Sequence, residues 1–292
     1  MKTVKEKAYA KINLYLDVIS RREDGFHNIK TVMHTLSLSD DLVLTLLPAR
    51  DRSVQILVDG SAYVPTDEKN LAYKAAMLFL ERAGINARVV IKLTKRIPVA
   101  AGLAGGSSDA AATLRALNKL TGKMFTGKAL SDMGAVLGSD VPYCLVGKTA
   151  LCEGRGEIMT RLPDTLKLYT VVAIGNEYMS AQRAYSALDE IYSSFDGSVP
   201  TGGEKAYSEL MQGIKDGAIT SLLFNVFESA VLPVCPKAAS IKERLLSLGA
   251  THALMSGSGP SVYGIFSTAD SAKEAAKALS IDGVNAFYAE SV

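Results

Sequence analysis

Apolar and polar residues alternate one by one over residues 7–19: Ile12, Leu14, Leu16 and Val18 face one way, and Lys11, Asn13, Tyr15 and Asp17 the other. A period of two belongs to a β-strand, here half-buried with a polar face. Asp24-Gly25 reads as a turn, and Ile29 to Leu38 as a returning strand. Strand-like runs follow at 41–47, 53–58 and 87–94. Over 68–83 the period changes: Leu71, Ala75, Leu78 and Leu80 mark a helix that ends at Gly84. Leu114, Leu117 and Leu120 recur at three-residue spacing in a helix over 108–120, with Gly122 as its stop. A shorter helix covers 126–137 and ends near Gly138, and Tyr169 to Ile174 is a buried strand. The stretch 194–204 turns polar and glycine-rich, as a loop does. Helices then cover 205–213, 236–248 and 269–279, and strands 251–255, 261–266 and 285–290. Strands and helices that mix without strict alternation predict an α+β protein, with a soft domain boundary near residue 160.

One segment breaks the periodicity altogether. Pro98, Val99, Ala100, Ala101, Gly102, Leu103, Ala104, Gly105, Gly106, Ser107 and Ser108 run straight into the 108–120 helix. Small residues let a backbone approach a ligand, and glycine admits the positive φ that aims successive N–H groups at one point. The helix behind adds unpaired N–H groups and the positive end of its dipole. Such a segment suits phosphate. It lacks the lysine of a Walker A loop and the spacing of a dinucleotide-binding turn. Read more plainly, it is a tight strand-to-helix turn capped by Ser107, Ser108 or Asp109.

Composition narrows the partners. The 292 residues are 48% hydrophobic and 21% charged, enough for one large or two ordinary globular domains. A net charge of +2 without a basic block argues against a nucleic-acid surface. No apolar run approaches the roughly 18 residues of a membrane span, and the basic N-terminus is followed by Asn13 and Asp17 rather than a signal peptide's apolar core. Cys144, Cys152 and Cys235 have no metal or redox spacing and read as reduced thiols of a cytoplasmic protein. His27, His34 and His252 form no metal motif.

Taken singly, the remaining candidates are unremarkable. Lys11 reads as a solvated lysine on an exposed strand face, and Asp140 as a turn or capping aspartate. Asp24-Gly25-Phe26-His27 and Ser256-Gly257-Ser258-Gly259-Pro260 each read as hairpin turns.

Together they read differently. Ala10-Lys11-Ile12-Asn13-Leu14, Asp24-Gly25-Phe26-His27, Pro98 to Ala111, Gly138-Ser139-Asp140-Val141-Pro142 and Met255 to Pro260 occur in that order. The set resembles the signature of the galactokinase, homoserine kinase, mevalonate kinase and phosphomevalonate kinase (GHMP) superfamily. Within it, the chain resembles the branch that phosphorylates a cytidine diphosphate conjugate in non-mevalonate isoprenoid synthesis. The resemblance covers nearly the whole chain and is weakest at roughly 190–220.

The resemblance implies an N-terminal ATP-binding domain over 1–160, a C-terminal domain over 161–292, and an active site in the cleft between them. It implies ATP and Mg²⁺ as co-substrates, and the 2-hydroxyl of the methylerythritol part of the conjugate as acceptor. It makes Lys11 and Asp140 catalytic, with Asp140 taking or orienting the acceptor proton. The segment from Pro98 to Ser108 would hold the phosphates, and Asn70, Leu71 and Lys95 would lie around the nucleotide. Asn13 would bind near the acceptor, Phe26 and Tyr185 would stack on the two faces of cytosine, and His27 would select that base. Ala104 stands where the superfamily often has glycine, which is compatible with binding only if it keeps a negative φ or lies off the phosphate path. Metal ligands and oligomeric state are left open.

Overall fold

The computed structural model describes residues 2–60, 64–194, 203–219 and 223–292. The first two strands are long: β1 runs Lys2–Arg21 and β2 His27–Pro48. Between them Arg22 N–H donates to Phe26 O (2.8 Å), and Gly25 takes φ +84°, a conformation that favours glycine. The two strands expected over 29–38 and 41–47 are one continuous strand. The polar run Ser37-Leu38-Ser39-Asp40-Asp41 looks like a break, yet Ser39 and Asp40 are buried because the Asp40 carboxylate is hydrogen-bonded from three sides.

Residues separate into two compact units that interleave along the chain. The first comprises 1–10, 39–99 and 104–147, and the second 11–38, 100–103 and 148–292. The units therefore do not part at a single point near residue 160.

The first unit contains the outer parts of β1 and β2, then β3 (Ser53–Asp59), α1 (Leu71–Ala83) and β4 (Ala87–Thr94). It continues through α2 (Gly105–Leu120), α3 (Gly127–Leu137) and α4 (Val141–Val146). Its strands lie in the order β3-β4-β2-β1, with β3 parallel and β2 antiparallel to β4. Leu42, Leu44, Ile56, Val89 and Ile91 from the sheet meet Phe79, Leu80, Leu114 and Leu117 from the helices in one buried core. Phe79 stands edge-on to Phe125 with centroids 5.1 Å apart.

The second unit adds β5 (Thr149–Gly154) and β6 (Ile158–Arg161), which extend the inner part of β2. It continues with β7 (Tyr169–Ile174), α5 (Ala181–Ser194), α6 (Gly203–Asp216), β8 (Phe224–Asn225), α7 (Glu228–Val231) and α8 (Pro236–Ser247). β9 (His252–Met255), β10 (Val262–Phe266), α9 (Ala269–Ile281) and β11 (Asn285–Glu290) complete it. β8 pairs parallel to β1, Tyr15 opposite Phe224. A four-stranded antiparallel sheet, β11-β7-β10-β9, carries α8 and α9. α4, β5, β6, α5, β8 and α7 are additional to the elements expected from the sequence. The glycine-rich loop expected over 194–204 falls for the most part, at 195–202, outside the described residues.

Candidate active site

The alternation of β1 delivers Lys11 and Asn13 to one face, but that face is not open to solvent. Lys11 is 3% and Asn13 2% exposed. The Lys11 ammonium donates to Asn13 Oδ1 and to the carbonyl of Gly102, each at 2.8 Å. Main-chain Lys11 N–H donates to Leu103 O (3.2 Å). Asn13 Nδ2 in turn donates to Thr31 Oγ1 (2.8 Å), whose hydroxyl donates to Tyr15 O (2.6 Å). The solvated lysine of the residue-by-residue reading is thus a buried cation seated on the glycine-rich segment. A lysine ammonium has three N–H donors, and this network occupies two.

The turn after β9 closes on the same place. Ser256 Oγ donates to Gly102 O (3.0 Å), and the Ser261 hydroxyl donates to Ala101 O. Asn225 Nδ2 ties the turn down through Met255 O (2.7 Å) and Gly257 O (2.8 Å), and Tyr263 OH donates to Asn13 O (2.8 Å). Two glycines allow this approach. A Cβ on Gly102 would lie 2.1 Å from Ser256 O, and one on Gly257 would lie 2.9 Å from Gly102 O and 3.1 Å from Lys11 Nζ. Ser256–Pro260 is therefore more than a hairpin turn: it braces residues 101–102.

In the first unit the glycine-rich segment enters α2 at Gly105. Ala104 precedes it with φ +56°, and no side chain caps the helix. Ser107, Ser108 and Asp109 lie inside the helix rather than at its cap, so among the described residues its first N–H groups have no capping side chain. Ala104 does not keep a negative φ, so of the two conditions set for it only a place off the phosphate path remains; the backbone is left-handed there, and so it is at Ala100 with φ +54°. Asp109 faces inward instead, where Lys95 Nζ donates to its Oδ2 (2.8 Å) and to Asp40 Oδ2. Asp40 Oδ1 accepts from the backbone N–H groups of Arg96 (2.6 Å) and Ile97 (2.9 Å). Burial pushes the Asp109 carboxyl up to about 7, against the pull of Lys95. Burial alone would lower the Lys95 ammonium, but the two carboxylates outweigh it and raise it.

Family models match this architecture in both halves of the chain. The GHMP kinases N-terminal domain matches residues 70–148, and the GHMP kinases C-terminal domain matches residues 205–285. The chain belongs to the GHMP kinase family. Two 4-diphosphocytidyl-2-C-methyl-D-erythritol kinases illustrate the similarity. That of Macrococcus caseolyticus is 40% identical over 278 residues, 94% of either chain. That of Geobacillus sp. is 44% identical over 262 residues, 89% of this chain and 86% of its own. A crystal structure of 4-(cytidine 5'-diphospho)-2C-methyl-D-erythritol kinase superposes with a TM-score of 0.80 at 32% identity, covering 98% of both chains. The fold extends to a homoserine kinase from Cytophaga hutchinsonii, with a TM-score of 0.74 at 18% identity.

The other residues expected of a GHMP kinase fall into three groups. Asn70 and Leu71 open α1: Asn70 Oδ1 accepts from Ala72 N–H (2.8 Å), its Nδ2 donates to Pro65 O (2.7 Å), and Leu71 Cδ1 lies 3.7 Å from a Cβ placed on Gly106. Leu71 and Lys95 thus flank the first turn of α2, while the Asn70 amide is spent on a helix cap. His27 Nε2 lies 2.7 Å from Asp189 Oδ1, and its ring stacks on Tyr185 at 4.7 Å and 24°. Phe26 is 53% exposed, with the Arg155 guanidinium 4.9 Å from its ring centre. Asp140 sits in the turn that precedes α4, one half of the plainer reading, and makes no capping bond with its side chain, the other half.

Sequence reasoning did not single out Asp40, Asp189, Asn225 or Tyr263. Only Asp189 had a signal, since it stands four residues after Tyr185 and so shares its helical face. Asp40 lay inside an apparent loop, and Asn225 and Tyr263 are joined to the site only by folding.

Proposed function

We propose that this kinase transfers the γ-phosphoryl group of ATP to the 2-hydroxyl of 4-diphosphocytidyl-2-C-methyl-D-erythritol, in isoprenoid precursor synthesis in the cytoplasm. One observation carries the reading: the buried Lys11 ammonium is held on the Gly102 carbonyl and, among the described residues, has a donor to spare. Phosphoryl transfer asks the protein for alignment and for stabilisation of spreading negative charge rather than for covalent chemistry. The segment 98–108 supplies the first through backbone N–H groups and the uncapped start of α2. Lys11 supplies the second, its remaining N–H directed to a reacting oxygen. Asp140 accepts or orients the proton of the acceptor hydroxyl, and as a carboxylate free of α4's amides it is suited to that role. Mg²⁺ would come with the nucleotide and offset the charge of its phosphates.

At the acceptor end, Phe26 and Tyr185 provide stacking faces for cytosine, and His27 provides the base-selecting hydrogen bond. Stacking tolerates any base, so the choice of cytosine falls to that bond. Asp189 on Nε2 leaves Nδ1 of His27 for it. Asn13 binds beside the acceptor.

A coupled assay of ADP release tests the reading with three acceptors. The cytidine conjugate should be turned over, and homoserine and mevalonate should not. Turnover of either of those with none of the conjugate would overturn the assignment. Asp140→Asn should retain MgATP affinity within a few-fold while kcat falls by about 10²–10⁴. Near-normal kcat would remove Asp140 from the mechanism.

A further inference from the structure

Lys95 was expected beside the nucleotide, but its charge is already engaged. Its side chain is 4% exposed, and two of its three donors go to Asp40 and Asp109. These partners sit at opposite ends of the phosphate segment. Asp40 binds the backbone N–H groups of Arg96 and Ile97, immediately before Pro98. Asp109 lies in the second turn of α2, just after the segment ends. Gly105, where the helix begins, approaches so closely that a Cβ there would lie 3.3 Å from Lys95 Nζ and 3.1 Å from Ile97 Cγ2.

The arrangement is costly as a mere structural staple. Two carboxyl groups share one buried ammonium, and Asp109 Oδ1 is buried with no hydrogen-bond partner among the described residues. Replacing such clusters by apolar groups often stabilises proteins, so stability is a poor reason for keeping one.

We propose that Asp40 and Asp109 are positioning residues for ATP: through Lys95 they fix the residues entering and leaving the phosphate segment, and so aim the first N–H groups of α2. Neither carboxylate touches the nucleotide. The proposal rests on the reading that this segment holds the triphosphate.

Steady-state kinetics and MgATP titration calorimetry test it on the full chain. Asp109→Ala removes the bridge on the helix side. KM for ATP should rise at least tenfold, while kcat at saturating ATP and KM for the acceptor stay within threefold. Asp109→Asn keeps an oxygen for Lys95 and should return KM for ATP to within threefold of the parent. A merely structural role would lower kcat in proportion to the folded fraction and leave KM for ATP alone. That result, or equal changes in both KM values, would overturn the proposal. Should the alanine variant not fold, Asp109→Ser, too short to reach Lys95, must show the same selective rise. If the parent itself does not bind MgATP, the nucleotide reading fails. If the parent binds and the alanine or serine variant binds equally well, only the positioning role fails.

Discussion

Asn13 and Gly102 use two donors of one ammonium, and in the proposed reaction the third serves the transferring phosphoryl group. Lys11→Met keeps most of the side chain's apolar stem but deletes all three donors. It leaves Asn13 Oδ1 with one partner fewer in a site that is 2% exposed, which costs about 1–3 kcal/mol of stability for a buried group left unpaired. The larger effect should be on rate: kcat falls by about 10²–10⁴ while MgATP affinity changes only a few-fold. Stopped-flow or coupled turnover beside calorimetric binding separates the two, and a kcat within threefold of the parent would exclude Lys11 from the reaction. Lys11→Arg should not restore activity, because there is little room beside Nζ for a larger head group: a Cβ added to Gly257 would lie only 3.1 Å from it. The alternation along β1 puts Lys11 and Asn13 on one face, and that much is legible in the chain. Their burial is not. It comes from Gly102, Tyr263 and the Ser256 turn, which stand 91 to 250 residues away. For the same reason Lys11 reads singly as a surface residue; Asp140 reads singly as a turn or capping aspartate, and only the ordered set of motifs suggests roles for the two.

At the scale of elements, long periodic segments are read well and short or polar ones poorly. α1, α2, α3, α8 and α9 carry regular apolar spacing and appear close to where they were expected. α4 is six residues of apolar run with Pro142 in its first turn, too short to show a period. β8 is only two residues and exists because β1 offers Tyr15 and Leu16 as partners. The break expected inside β2 is absent because Asp40 has Lys95, a pairing that local sequence does not announce. The glycine-rich segment 98–108 shows the converse: its small residues and helix entry are legible in the sequence, but its strain is not. Ala104 takes a left-handed conformation that costs an L-residue about 1–2 kcal/mol. Ala104→Gly removes that strain and adds freedom to the unfolded chain worth about 0.4–1 kcal/mol. The variant should therefore unfold at the parent's temperature or above. By contrast, Ala278→Gly in the right-handed interior of α9 should cost about 1 kcal/mol. Scanning calorimetry of the pair decides. A drop for Ala104→Gly as large as that for Ala278→Gly would mean that residue 104 is not strained.

For the whole molecule, two buried groups bias stability with pH in opposite directions. His34 lies between Thr149 Oγ1 (2.9 Å) and Ser291 Oγ (2.8 Å), and burial lowers its pKa to about 4. In the unfolded chain a histidine takes its proton near 6.5, so between about pH 6.5 and 4 only the unfolded state binds it. Stability is present above that window and is lost as pH falls through it, by up to about 3 kcal/mol for a shift of this size. Asp109 acts the other way. With its carboxyl raised to about 7 by burial, the native state holds a proton that the unfolded state has released, so stability is lost as pH rises from about 4 towards 7. Urea unfolding of His34→Asn and Asp109→Asn across pH 4 to 7 separates the two slopes. The parent's advantage over His34→Asn should shrink as the solution is acidified, because the parent alone carries the histidine penalty. Its standing relative to Asp109→Asn should worsen as pH rises, because only the parent must ionise a buried carboxyl beside Asp40. A constant difference between parent and His34→Asn over that range would show that the imidazole titrates alike in both states, and a constant difference for Asp109→Asn would show the same of the carboxyl.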